Sequence, residues 1–127
     1  MNSANLISWN IRGLGNPLKK RAVKRLCSKG NVSVILLKET KIQCYKGNLV
    51  RSLWGSRLGG FSFAPSMGHS GGLISIWNPS IFFAVDKELR SQRFIILVGE
   101  LCRWKVKACL VNVYTPNDLV ERKNFFI

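Results

Sequence analysis

The chain has 127 residues, hydrophobic residues make up 46% of it, and its formal net charge is +14 at pH 7. This length and apolar content are sufficient for one domain with its own core and do not suit a disordered chain. No apolar run approaches the roughly 18 residues that a membrane helix needs, and the N-terminus lacks the pattern of a secretion signal. We therefore expect a soluble, intracellular chain that is not secreted and makes no membrane contact.

The positive charge is concentrated in the first half of the chain. Residues 1–57 contain 12 Lys and Arg against one acid, Glu39, whereas residues 58–127 contain 8 against 5. Such a charge attracts polyanions such as nucleic acids. A basic surface that is merely solvated, or the loss of a more acidic C-terminal half, would produce the same excess. The four irregularly spaced cysteines and the single histidine, His69, predict neither a zinc site nor disulfides.

The first 40 residues predict a strand, a helix and a second strand. Residues 5–10 form a short apolar strand, followed by a loop that glycines interrupt. Asn16 can cap a helix that begins at Pro17, where proline costs no hydrogen bond. The helix carries apolar residues at helical spacing, namely Leu18, Ala22, Val23 and Leu26. Residues 32–37 form a buried strand that ends at the sequence Lys-Glu-Thr.

From residue 61 onward the pattern is typical of a β-rich segment. Strands are predicted at 61–64, 72–77, 81–86, 94–98 and 105–114, with a tight turn at residues 78–80. The preceding polar stretch contains Trp54 and the pair Gly59 and Gly60, and no element is predicted for it. A new helix is expected after Thr115, where Asp118 and Glu121 have the spacing of a capping box.

The N-terminal pattern is compatible with a dinucleotide-binding fold. A strand, the pair Gly13 and Gly15, a helix, a second strand and an acid at its end occur in that order. However, Leu18 occupies the third glycine position, and residues 61–114 lack the crossover helices that a parallel sheet requires. We therefore do not expect this fold.

Four motifs along the chain point to another family. They are SWNIRGLGN at residues 8–16, KET at 38–40, SGG at 70–72 and NVYTPN at 112–117. Their order and spacing resemble the endonuclease/exonuclease/phosphatase superfamily. The opening motif is similar in particular to the endonucleases of plant LINE-type (non-LTR) retrotransposons. The resemblance implies an α/β (α+β) fold, a four-layer α/β/β/α sandwich with mixed or mostly antiparallel sheets. This chain would form its N-terminal half, with roughly one sheet that lacks a partner, a covering helix and the start of another.

The resemblance also implies the residues of a Mg²⁺-dependent, DNA-cleaving site. Glu39 would be the metal-binding carboxylate, with Asn10 beside it to orient the metal shell or the phosphate. Tyr114 and Asn117 would donate hydrogen bonds to the phosphate. Structural roles stay open for all four, as a solvated acid, a turn residue, a half-buried aromatic and a helix cap. Glu39 is the only acid among the first 85 residues, which favours a function for it.

The predicted helix carries a basic cluster of five residues, Lys19, Lys20, Arg21, Lys24 and Arg25. These side chains are candidates for contacts with DNA phosphates, and a solvated helix face is the alternative. Charges of this sign near a helix start oppose the helix dipole, so helix stability does not explain them. The stretch KKRAVKR also resembles a nuclear-localisation signal, although helical periodicity explains it equally well.

Two departures from the family pattern limit the expected activity. The Gly-Asp-x-Asn and Ser-Asp-His motifs of the superfamily, which supply its acid–base pair, do not occur in the sequence. Lys38 also stands where the family commonly has Gln. Residues 1–127 are therefore expected to be the N-terminal part of one domain, truncated at its C-terminus and nearly inactive alone. Two alternatives stay open, namely a noncatalytic nucleic-acid-binding pseudoenzyme module and a phosphoesterase that acts on a small phosphorylated substrate.

Overall fold

The computed structural model describes residues 4–29, 31–45, 47–55 and 59–115. These residues form seven strands and two helices. In chain order they are β1 (Leu6–Asn10), α1 (Pro17–Lys29), β2 (Val34–Lys38), α2 (Leu49–Trp54), β3 (Gly60–Ala64), β4 (Leu73–Trp77), β5 (Phe83–Arg90), β6 (Phe94–Leu101) and β7 (Val106–Val113). Neither helix in this part of the chain is long and apolar enough to cross a membrane.

The strands form two sheets. The first has the order β1-β2-β4-β3, in which β1 and β2 are parallel and the other neighbours are antiparallel. The second has the order β5-β6-β7 and is antiparallel throughout. The antiparallel pairing of β2 with β4 rules out the parallel sheet of a dinucleotide-binding fold.

The two sheets pack face to face, and the expectation of roughly one sheet without a partner is wrong. One buried cluster joins side chains of both sheets, including Val34 and Leu36 of β2 with Ile95 and Leu97 of β6. β2 and β4 are buried on both of their faces, because the helices cover the opposite side of the first sheet. This explains why both strands read as continuous apolar runs. The chain therefore contributes to both central layers of a sandwich.

Helix α1 begins at the residue that the sequence predicts, and it packs against the core through two residues. The side-chain oxygen of Asn16 accepts a hydrogen bond from the backbone nitrogen of Leu18 at 2.8 Å, which confirms the cap. Only Val23 and Cys27 of the helix are buried. Leu18 remains 67% exposed and Leu26 38% exposed. Of the four apolar residues at helical spacing, only Val23 is therefore buried.

Helix α2 was not predicted from the sequence. It has six residues, and its N-cap residue, Asn48, makes no side-chain capping hydrogen bond. Its buried residues, Leu49, Leu53 and Trp54, pack in the core between the helices and the first sheet. Six residues are fewer than two helical turns, so hydrophobic periodicity gives little signal.

Candidate functional site

The loops that follow β1 and β2 are joined at the carboxyl ends of the two parallel strands. Asn10 and Lys38 are the last register partners of these strands. Beyond them, the backbone nitrogen of Ile11 donates to the carbonyl of Lys38 at 3.0 Å, and that of Gly13 donates to the carbonyl of Glu39 at 2.8 Å. Asn10 and Glu39 therefore lie on adjacent, hydrogen-bonded segments at one edge of the sheet.

A third loop, before β4, fixes the other side of the Glu39 segment. The backbone nitrogen of Thr40 donates to the carbonyl of Gly72 at 3.1 Å, and that of Lys41 donates to the carbonyl of Gly71 at 2.9 Å. Gly72 has a φ of +94°, and a Cβ atom there would lie 2.3 Å from Oγ1 of Thr40. The SGG motif thus allows a close backbone approach, and its second glycine, Gly72, is required.

Glu39 is a buried acid with an arginine beside it. Its exposed fraction is 7%, so it is not the solvated strand-end acid that was one alternative for it. Its φ of +54° is uncommon for a residue with a side chain. Nε of Arg12 lies 3.9 Å from Oε2 of Glu39, and the Arg12 side chain is 74% exposed. Burial of a carboxylate carries a large desolvation cost, which a nearby cation offsets.

The oxygen donors present fit magnesium rather than a transition metal. Among the described residues, no group of three or more His, Cys, Asp and Glu side chains could hold a metal ion. Magnesium, however, keeps several waters and needs only one or two carboxylates together with a substrate phosphate. The carboxylate of Glu39 and the side-chain oxygen of exposed Asn10 are hard donors of that kind. They would hold Mg²⁺ as a partial set of ligands.

Tyr114 lies beside the same loops. Its backbone nitrogen donates to the carbonyl of Arg93 at 2.8 Å. Its ring lies next to Gly71, where a Cβ atom would be 3.5 Å from the ring. A cleft of ≈ 140 Å³ is lined by Tyr114, Arg93, Gly71 and Gly72 among others. Gly71 and Gly72 also bond to the segment that follows Glu39, so Tyr114 and this segment both adjoin the same loop.

Asn112 and Lys38 join the two sheets next to this site. Nζ of Lys38 donates to Oδ1 of Asn112 at 2.6 Å. Nδ2 of Asn112 lies 3.3 Å from the carbonyl of Leu37 and 3.2 Å from that of Ile74, as donor to both. Asn112 is fully buried, and burial lowers the pKa of Lys38. The sequence placed Asn112 in the NVYTPN motif but predicted no role for it.

Asn117 lies outside the described residues. His69, the single histidine of the sequence, is exposed in the loop before β4.

The five residues of the basic cluster differ in exposure, since Lys19 and Lys20 are partly buried and the other three are not. Nζ of Lys19 donates to the carbonyl of Arg12 at 2.6 Å, so this side chain braces the loop after β1. Arg21, Lys24 and Arg25 are exposed. These three residues therefore keep their positive charge available on the surface of the helix.

No protein-family model matches the chain, and no curated protein sequence matches it. Solved structures do. The AP endonuclease LMAP from Leishmania major superimposes with a TM-score of 0.71 at 18% sequence identity, over 96% of this chain and 44% of that one. The APE2 catalytic domain of Xenopus laevis gives a TM-score of 0.60 at 18% identity, over 94% of this chain and 48% of that one.

The fold is part of the AP endonuclease sandwich. This confirms the predicted mixed α/β class and the prediction that the chain forms part of a sandwich, although it contributes two sheets and not roughly one. At 18% identity the likeness establishes the fold alone. The chain spans less than half the length of either solved structure.

Proposed function

We propose that residues 1–127 are the N-terminal part of one Mg²⁺-dependent DNA endonuclease domain of the plant LINE retrotransposon type. In this proposal Glu39 and Asn10 hold the metal, and Tyr114 and Asn117 bind the phosphate. The observation that carries it is the buried side chain of Glu39. The backbone of Glu39 accepts a hydrogen bond from Gly13 in the loop after β1, and the next residue, Thr40, bonds to the Gly71–Gly72 loop that lies beside the Tyr114 ring. The likeness to two AP endonucleases and the charge of +14 support a DNA substrate.

The chemistry divides between the metal and this chain. When bound, Mg²⁺ would neutralise charge that develops on the phosphate. Glu39 would supply a buried carboxylate, and backbone hydrogen bonds to the loops on both sides fix the segment that carries it. The Tyr114 hydroxyl donates a hydrogen bond to a phosphate oxygen, and its ring is positioned by Gly71.

On its own the chain is expected to cleave DNA very slowly. The sequence contains neither Gly-Asp-x-Asn nor Ser-Asp-His, so the acid–base pair of the superfamily must come from a further chain segment. Loss of a general base and its orienting acid costs orders of magnitude in rate. The expected partners are therefore DNA and a segment that carries these motifs.

The test combines cleavage with direct metal binding. Nicking of supercoiled plasmid is measured in Mg²⁺ and in EDTA, and Mn²⁺ binding is measured by the loss of the free Mn²⁺ signal in electron paramagnetic resonance. Wild type is compared with Glu39→Gln and with Glu100→Gln, an exposed acid on β6. We expect Mn²⁺ binding that Glu39→Gln abolishes and Glu100→Gln leaves intact.

The possible outcomes separate the parts of the proposal. Mg²⁺-dependent nicking that Glu39→Gln removes would support the site and show that the chain is active alone. Mn²⁺ binding without nicking would support both the site and the need for a further segment. If Glu39→Gln changes neither measurement, the proposed metal site is wrong.

A noncatalytic nucleic-acid-binding module is the second candidate. It is favoured by helix α1, in which Arg21, Lys24 and Arg25 are exposed and no residue is acidic. Such a module would bind DNA with a steep salt dependence that Glu39→Gln does not change. Neutralising these three residues would remove most of the binding. A phosphoesterase for small substrates is less favoured, because it does not need so large a positive charge.

A further inference from the structure

Arg12 lies within ion-pair distance of the proposed metal ligand, Glu39, and the proposed mechanism assigns it no role. Its Nε lies 3.9 Å from Oε2 of Glu39. The exposed fractions of the two side chains are 74% for Arg12 and 9% for Glu39. The guanidinium group therefore reaches from solvent to a buried carboxylate.

The backbone keeps Arg12 next to Glu39. The residues on either side of it, Ile11 and Gly13, donate hydrogen bonds to the carbonyls of Lys38 and Glu39 at 3.0 and 2.8 Å. The carbonyl of Arg12 itself accepts from Nζ of Lys19 at 2.6 Å. These contacts fix the backbone of this segment. The Cα atom of Arg12 is therefore held next to the Glu39 segment.

This arrangement does little for stability. An ion pair at this distance with one highly exposed partner contributes little, because water screens it and the long side chain loses entropy. Arg12 also has a φ of +53°, a conformation that costs energy for a residue other than glycine. A strained residue with a weak ion pair suggests a functional reason for its position.

A full positive charge at this position has two effects of opposite sign. It repels a divalent cation that binds Glu39, and it attracts a phosphate that approaches the same site. When a metal occupies the carboxylate, the guanidinium loses its partner and is placed to form hydrogen bonds with a phosphate oxygen.

We propose that Arg12 pairs with Glu39 in the metal-free protein and becomes a ligand of the DNA phosphate when Mg²⁺ occupies Glu39. The inference rests on the proposed function, since it assumes that Glu39 binds the metal. It predicts that removing the Arg12 charge strengthens metal binding and weakens DNA binding.

The experiment uses the 127-residue chain, the variants Arg12→Gln and Arg12→Lys, and Arg103→Gln as a control of equal charge. Arg103 lies in the turn between β6 and β7, at the opposite end of these strands from Tyr114. Mn²⁺ binding is measured by electron paramagnetic resonance without DNA. Binding of a fluorescein-labelled oligonucleotide duplex is measured by anisotropy in EDTA and in Ca²⁺, over a range of salt concentrations.

For Arg12→Gln we expect roughly fivefold tighter Mn²⁺ binding. This factor corresponds to the repulsion between the metal ion and one partly screened positive charge. We expect DNA binding in Ca²⁺ to weaken by roughly fivefold and the slope of log Kd against log salt to fall by about 1. In EDTA the loss should be smaller, because Glu39 still engages the arginine. Arg12→Lys should resemble wild type in Mn²⁺ binding, and Arg103→Gln should leave Mn²⁺ binding unchanged.

Two results would overturn the inference and can be told apart. If wild type binds Mn²⁺ through Glu39 but Arg12→Gln does not bind it more tightly, Arg12 does not compete for the carboxylate and the proposed function survives. If wild type binds no Mn²⁺, both the inference and the proposed metal site are wrong. Thermal unfolding of each variant confirms that it is folded.

Discussion

Nζ of Lys38 lies 2.6 Å from the side-chain oxygen of Asn112, and this contact joins the carboxyl end of β2 to the second sheet. The amide nitrogen of Asn112 meanwhile donates to backbone carbonyls of β2 and β4. Both polar atoms of a buried side chain are thus hydrogen-bonded within the interface between the sheets. Because Glu39 follows Lys38 directly, this contact also anchors the segment that carries the candidate metal ligand.

We predict that Asn112→Leu destabilises the chain by about 2–4 kcal/mol, because it leaves a half-buried ammonium group without its acceptor. Lys38→Met combined with Asn112→Leu should recover part of that loss, since neither polar group then remains. Urea unfolding of the two single variants and the double variant measures the coupling. A double variant whose loss equals the sum of the single losses would show that the two side chains do not interact.

The two glycines of the loop before β4 should respond differently to alanine. At Gly72 a Cβ atom would lie 2.3 Å from Oγ1 of Thr40 and 3.0 Å from the Lys41 nitrogen. At Gly71 it would make only ordinary contact with the Tyr114 ring, at 3.5 Å. Both have positive φ, so each alanine costs about 1 kcal/mol in backbone strain.

We therefore expect Gly72→Ala to cost about 3 kcal/mol or more and Gly71→Ala about 1–2 kcal/mol. Urea unfolding measures both. Gly72→Ala should also abolish Mn²⁺ binding, because the Thr40 clash displaces the adjacent Glu39. Equal losses for the two variants would contradict the clash and leave backbone strain as the only cause.

Ionisation of Tyr45 should lower the free energy of unfolding of the chain at alkaline pH. Its hydroxyl donates to the carbonyl of Leu73 at 3.1 Å and lies 2.8 Å from Oγ1 of Thr40. Burial raises the pKa of Tyr45 to about 12, and the hydrogen bond with Thr40 acts in the opposite direction. In the unfolded chain the phenol ionises near its ordinary pKa of 10, so only the folded state retains the proton between these values.

Folding stability should therefore be intact below pH 10 and fall by on the order of 2 kcal/mol as the pH rises to about 12. Urea unfolding of wild type and Tyr45→Phe at several pH values measures the difference between their free energies of unfolding. The lysines are the same in both proteins, so their contribution cancels in this difference. The phenylalanine variant should lose the part of the pH dependence that belongs to this group. Identical pH profiles for the two proteins would show that the phenol is not perturbed by the fold.

Local signals predicted much of the secondary structure. The Asn16 cap and Pro17 set the start of α1, which the structure confirms, and alternating or continuous apolar runs located the strands. Helix α2 was missed because a helix so short depends on its burial against the core, which Trp54 and Leu53 provide. The second sheet was missed as a partner of the first, since sheet packing depends on contacts between residues distant in sequence.

The sequence predicted the identities of the candidate site residues but not their geometry. The motif order indicated Asn10, Glu39 and Tyr114, and the structure places all three around adjacent loops. Their roles in metal and phosphate binding stay predictions. The burial of Glu39 and the position of Arg12 beside it depend on positive φ values at both residues, which sequence patterns do not indicate.

Helix α1 offers a direct test of which face is buried. Val23 is fully buried, whereas Leu26, three residues later, is 38% exposed, although both are among the apolar residues at helical spacing. Val23→Ala should therefore cost about 1–2.5 kcal/mol through lost burial and a residual cavity, and Leu26→Ala about 0.5 kcal/mol or less, because alanine also favours the helix. Urea unfolding compares the two. A larger loss for Leu26→Ala would mean that the exposed side of the helix around Leu26 is covered in solution. The contacts of α1 described above would then be incomplete.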